Sequence, residues 1–123
     1  MRFTLDRHPT ANIVTHLGAG GLRVGGLQLD RSLILSAAEL IPDWPVRDVH
    51  ELDLAALAPA LALRPEILLL GTGDRIRFPR PSLHAELAAR GIGLEVMDTA
   101  AACRTYNILV HEERPVVAAL ILP

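Results

Sequence analysis

The run Ile67-Leu68-Leu69-Leu70, preceded by Glu66 and ended by Gly71, restricts the possible folds of this chain more than any other feature. Side chains of a strand alternate between two faces, so a strand that is apolar at every position must be covered on both. Such a strand belongs in the middle of a layered α/β sheet. Downstream, Pro81-Ser82 open a helical segment through Arg90, and Gly91 suits its left-handed stop. Leu94, Val96 and Met97 read as a second buried strand, Asp98-Thr99 start a helix to about Val110, and Pro115 to Leu122 supply a last strand. The crossover from Leu70 to Leu94 has the length and order of a parallel βαβ unit.

The first third is built differently. Asn12 to Leu17 reads as a strand, Gly18-Ala19-Gly20-Gly21 as a turn, and Leu22-Arg23-Val24 as a strand broken by Gly25-Gly26. Leu27, Leu29, Leu33 and Leu35 alternate around the polar turn Asp30-Arg31-Ser32, which predicts a hairpin with one buried face. Pro42 and Pro45 hold Trp44 in a loop. Asp53 can cap a helix beginning at Leu54, which Pro59 makes kinked or short. The expected fold class is α/β with three layers: a central mixed, partly parallel sheet, flanking helices and an N-terminal antiparallel hairpin portion. Residues 1–123 read as a single domain. Half the residues are hydrophobic and only four are aromatic, so the core is aliphatic.

Composition also narrows the function. All 12 basic residues are arginine, they are spread along the chain, and the formal net charge is −2. A nucleic-acid binder would gather positive charge on one face, so no nucleic-acid partner is expected. The single cysteine, Cys103, cannot form an internal disulfide. The first eight residues contain no apolar run of signal-peptide length, and Leu54–Leu63 falls short of the ~20 residues a spanning helix needs. The expected location is the cytoplasm, with no membrane span.

Two motifs could carry chemistry. Gly71-Thr72-Gly73 follows the central strand, with Arg75, Arg77 and Arg80 close behind. Asp98-Thr99 follows the next strand and opens a helix whose Thr99, Cys103 and Asn107 lie four apart on one stripe. If the strands are parallel, both motifs face one crevice at the carboxyl edge of the sheet, the usual ligand position in open α/β sheets. Gly71, Thr72, Gly73, Arg75, Arg77, Asp98, Thr99, Cys103 and Asn107 are therefore the candidate crevice residues, suited to a small anion. Each also has a plain reading: chain-turning glycines, surface arginines, a helix cap at Asp98, a small buried Cys103 and a buried hydrogen-bonding Asn107. A nucleophilic Cys103 would need His84 or His111 as a base. No catalytic residue is assigned. Ile76 stands where the third glycine of a dinucleotide-binding motif belongs and there is no lysine for a phosphate-binding loop, so no cofactor is expected. The acidic cluster Asp48, His50, Glu51, Asp53 lacks a second histidine at ligand spacing, so no metal is expected.

Leu68-Leu69-Leu70-Gly71-Thr72-Gly73, Phe78, Gly91-Ile92, Glu95-Val96-Met97-Asp98-Thr99 and Arg104-Thr105-Tyr106-Asn107 together resemble the family called domain of unknown function 498. Its eukaryotic members include complex I assembly factor 3 and an adipogenesis-associated domain protein. The likeness is dense from about Pro65 to Leu122 and looser from Asn12 to Trp44. It implies a bacterial cytoplasmic relative with a three-layer α/β fold, and no established activity or catalytic residues. Two functions follow as expectations. One is an assembly or adaptor protein, with respiratory-chain proteins among its conceivable partners, that binds a protein partner through Ile76, Arg77 and Phe78; a homo-oligomer is a separate expectation. The other is a binding domain or enzyme for a small anion in the crevice. For the first, the opposing view is that Phe78 packs on the core beneath Pro79.

Overall fold

The structure, a computed structural model, describes residues 11–122. The reading of the first eight residues lies outside the described residues. Val14–Gly18 (β1), Gly21–Val24 (β2) and Leu27–Leu29 (β3) form an antiparallel three-stranded sheet in that order. A second sheet has five strands. Leu33–Ser36 (β4) and Leu40–Ile41 (β5) enter it first, then Ile67–Gly71 (β6), Gly93–Met97 (β7) and Val116–Leu120 (β8). The spatial order is β5-β4-β8-β6-β7; β6 is parallel to both β7 and β8, and β4 is antiparallel to β5 and β8. The helices are Ala58–Leu61 (α1), Pro81–Ala88 (α2) and Thr99–His111 (α3), with a short 3-10 turn at Val49–Glu51.

Both faces of the five-stranded sheet are covered, and the alternation along its strands assigns every side chain to a layer. Leu33, Leu35, Leu69, Val116, Ala118 and Leu120 point to one core. There they meet Ala102, Cys103, Tyr106 and Val110 of α3, and Val14, Leu22, Val24 and Leu29 of the smaller sheet. Ile34, Leu68, Leu70, Val117, Ala119 and Ile121 point to the opposite core, against Leu83 and Leu87 of α2, Leu57 and Ala60 around α1, and the buried Trp44. The fold is thus the expected mixed α/β architecture with an antiparallel N-terminal portion. Trp44 lies in its loop as expected, its indole N–H donating to the Ala56 carbonyl at 2.9 Å.

Three local expectations are corrected. The alternating leucines from Leu27 to Leu35 do not make a hairpin, because β3 and β4 belong to different sheets. Ser32 is the reason. Its hydroxyl accepts the Leu122 N–H at 2.9 Å and its carbonyl accepts from Trp44 N at 2.8 Å, so Asp30–Ser32 is a link between sheets. Leu29, Leu33 and Leu35 still share one core, whereas Leu27 is 49% exposed. Second, β7 is an edge strand with half-buried side chains, not a fully buried one. Third, the helix expected from Leu54 begins only at Ala58. The Asp53 carboxylate accepts from Ala56 N at 2.7 Å, closing a turn ahead of the helix, and Pro59 sits in the first helical turn, where its missing N–H costs nothing.

The β1–β2 turn depends on Gly21. Its φ is +109°, and a Cβ there would lie 2.0 Å from the Leu29 carbonyl oxygen. Gly21→Ala is expected to destabilise the protein by at least the ~1–3 kcal/mol of backbone strain, with β3 displaced as well. Urea unfolding of the variant against wild type measures it.

Candidate functional site

The two crossovers define the carboxyl edge of the sheet. The chain leaves β6 towards α2 on one face and leaves β7 towards α3 on the other. In open α/β sheets a crevice opens where neighbouring strands send their connections to opposite faces. Here that gap is closed by hydrogen bonds. Thr72 N donates to Met97 O at 3.0 Å, Thr99 N to Gly73 O at 2.9 Å, and Gly73 N to the Thr99 hydroxyl at 2.8 Å. The same hydroxyl donates to Ile121 O at 2.8 Å, and Ile121 N donates to Gly71 O at 2.8 Å. Gly71 permits this approach, since a Cβ would come within 3.0 Å of the Thr99 Cα and hydroxyl. The amides of Thr72, Gly73 and Thr99, which would have to turn towards an anion, already donate within the protein.

The open space lies beside this seam. A cavity of about 620 Å³ is bounded by the Gly18–Gly21 turn on one side and by Gly73, Asp74 and Asp98–Ala100 on the other, with Asp30 and Leu122 completing it. Of the candidate crevice residues, only Gly73, Asp98 and Thr99 line it. Its charged side chains, Asp30, Asp74 and Asp98, are all acidic. Arg75 and Arg77 are not part of it. Arg77 lines an adjoining pocket of about 130 Å³ with Arg47, Asp48 and Thr72; Gly73 and Asp74 border both pockets, and Arg80 pairs with Glu86 at 3.0 Å. The candidate crevice residues are thus divided between two pockets: Asp98 and Thr99 line the larger, Thr72 and Arg77 the smaller, and Gly73 lines both. The sequence reading also missed the hairpin wall and Asp30. They come from the other sheet, and no local pattern announces that contact.

Most polar candidates are structural pins. The Thr72 hydroxyl donates to Arg75 O at 2.8 Å and accepts from Arg77 N at 3.0 Å, so it shapes the loop after β6. Asn107 accepts from Val14 N at 2.9 Å and donates to Val14 O at 2.7 Å, tying β1 to α3. The Tyr106 hydroxyl donates to Asn12 O at 2.7 Å one step further along. Asp98 is the N-cap of α3 and accepts from Ala101 N at 2.8 Å. Cys103 is buried among core side chains, while His84 and His111 are exposed. Desolvation pushes its thiol up to about 11 despite the opposing charge of Arg104, the reverse of what a nucleophile needs. Among the described residues no three His, Cys, Asp or Glu side chains converge as metal ligands; Asp48 and Glu51 form a capping box on the 3-10 turn instead.

A family profile described as "Protein of unknown function (DUF498/DUF598)" matches residues 14–121. The chain belongs to this family. Over 104 residues it is 36% identical to "NADH dehydrogenase [ubiquinone] 1 alpha subcomplex assembly factor 3" of Xenopus tropicalis, covering 80% of this chain and 57% of that protein. It therefore spans little more than half the length of that relative. An uncharacterized protein of Rhodobacter capsulatus is 40% identical over 104 residues, covering 85% of this chain and 79% of that one. Among solved structures, a Xanthomonas campestris protein aligns with a TM-score of 0.84 at 38% identity, over 98% of this chain and 92% of that chain. No helix among the described residues is long and apolar enough to cross a membrane.

Two outcomes are expected at this edge. Asp98→Ala should lower stability by ~1 kcal/mol through loss of the cap; unchanged melting would show that the cap bond contributes nothing. The raised pKa of Cys103 and of the buried Tyr106 hydroxyl have the same sign. Both groups stay neutral in the folded protein while the unfolded chain ionises. The thiol's contribution is thus fully present below its unfolded value of 9.0 and is lost as pH rises towards about 11; that of the tyrosine hydroxyl begins to be lost above 10.0. Urea midpoints should hold to pH 8 and fall above pH 9, and Cys103→Ala should flatten part of that fall.

Proposed function

We propose that this protein acts by binding another protein, in an assembly or adaptor role, and that the loop from Asp74 to Arg80 forms the contact. The observation that carries this is the side-chain arrangement in that loop. Phe78 is 68% exposed and Ile76 48% exposed, while Pro79 beside them is buried. Phe78 thus does not pack beneath Pro79. Arg75, Arg77 and Arg80 are exposed on the same segment. Aromatic residues and arginine are the side chains that most often anchor protein interfaces.

The loop is also held in shape before any partner arrives. The Thr72 hydroxyl bridges Arg75 O and Arg77 N, and Pro79 is fixed in the body of the protein ahead of α2. A pre-ordered loop loses less conformational entropy on docking than a flexible one. The assembly-factor relatives support the same class of function. The anion-binding alternative has less support, because the amides it requires are already bonded and the adjacent cavity is acidic.

The test uses tagged full-length protein at native expression in its own host. Phe78→Ala and Arg77→Ala should each weaken a co-purifying complex at least tenfold, a hot-spot effect of ~1.4 kcal/mol or more. Because both side chains are exposed, the melting temperature should stay within the ~0.5 kcal/mol band of surface substitutions. If no partner co-purifies and the purified protein turns over a metabolite in an activity screen, the adaptor reading falls and an enzymatic one replaces it.

A further inference from the structure

The two sheets have four edges, and three are protected by means that natural proteins use against unwanted strand pairing. β1 carries a register irregularity between Val14 and His16, and the Asn107 amide occupies both main-chain groups of Val14. β3 has only three residues. β5 has only two and runs into Pro42. The fourth edge, β7, has five residues in unbroken parallel register with β6, without proline or bulge, and its one charged side chain is Glu95.

Which main-chain groups β7 leaves open follows from its bonding. Gly93 N donates to Glu66 O and Met97 O accepts from Thr72 N. Main-chain groups alternate along a strand, so Gly93, Glu95 and Met97 face β6, while the N–H and C=O of Leu94 and Val96 point outward. No strand adjoins this side among the described residues. On one face of the edge, Leu94 and Val96 are half-buried against the second core. On the other, Glu95 is exposed, and among the described residues its carboxylate has neither an ion pair nor a hydrogen bond.

We propose that the outer edge of β7 is a docking site for an extended segment of a partner protein, added as a sixth strand with a basic residue opposite Glu95 and apolar residues beside Leu94 and Val96. The main-chain groups of Leu94 and Val96 supply the ladder, and Glu95 supplies the selection by charge. A second copy of this chain fits less well. The antiparallel register that pairs all of β7 sets Glu95 against its own copy, and like charges directly opposite are destabilising. Shifted registers shorten the ladder. This surface is separate from the Asp74–Arg80 loop, so the two readings stand or fall independently.

The experiment is a nuclear magnetic resonance titration of the isotope-labelled full chain with two capped peptides, Thr-Val-Arg-Val-Thr and Thr-Val-Glu-Val-Thr. The Leu94 and Val96 amide signals should shift saturably at millimolar peptide. The arginine peptide should bind about fivefold more tightly, the worth of one opposite-charge against like-charge cross-strand pair. Glu95→Lys should reverse the order, and the milder Glu95→Gln should remove the preference. Phe78→Ala should leave the titration unchanged. The proposal is overturned if neither peptide moves these amides, or if both bind equally well to wild type and to Glu95→Lys. It is likewise overturned if Leu94 and Val96 become protected with rising protein concentration alone and sedimentation gives a dimer mass; the occupant is then a second copy.

Discussion

The buried hydroxyl of Thr99 joins the parts of this protein that are far apart in sequence. It accepts from Gly73 at the end of β6 and donates to Ile121 just past β8, while its own residue opens α3. One side chain thereby fixes the relative positions of two strand ends and a helix start. A buried hydroxyl is unfavourable unless its hydrogen bonds are met, and here both the donor and acceptor roles are filled. The close fit requires Gly71 beneath it and leaves no room for a ligand in the gap between the two strands.

That seam also explains how the smaller sheet is held. With the start of α3 fixed, its later turns present Tyr106 and Asn107 to Asn12 and Val14, so one helix locks both the parallel strands and β1. Ala118 and Ala119 on the central strand β8 project little, which lets helices approach the sheet on either face. Thr99, Tyr106 and Asn107 thus each make hydrogen bonds that tie elements together. Polar groups inside a small core must be hydrogen-bonded somewhere, and the nearest unmet main-chain groups take them.

Two surface features stand apart from the seam. One is a loop carrying Ile76 and Phe78 among arginines, and the other is the outer edge of β7, along which no strand lies among the described residues. These are the two surfaces on which the proposed contact reading rests, and the family's longer relatives include proteins named as assembly factors. The acidic cavity by the Gly18–Gly21 turn, and a neighbouring cavity of about 520 Å³ lined by Asp30, Arg31, Trp44 and Arg47, are used by neither surface.

The sequence by itself determined the second half of the fold. Ile67–Leu70 had to be a covered strand because it has no polar face, and Asp98-Thr99 had to begin a helix because a carboxylate there meets unpaired N–H groups. The family, too, was legible from separated motifs that agree in order and spacing. Only the tertiary structure decided the rest. Leu27 to Leu35 alternate as a hairpin would, yet long-range bonds from Ser32 to Leu122 and Trp44 send β3 and β4 to different sheets. Arg75 and Arg77 follow the glycine turn in sequence, yet neither lines the acidic cavity, and Arg77 borders the smaller pocket beside it. Periodicity reports which face of a strand is buried, but it is silent on which strand lies alongside. Strand pairing and the direction of a loop are set by contacts dozens of residues away, and those decided which candidate residues share a surface and which are enclosed.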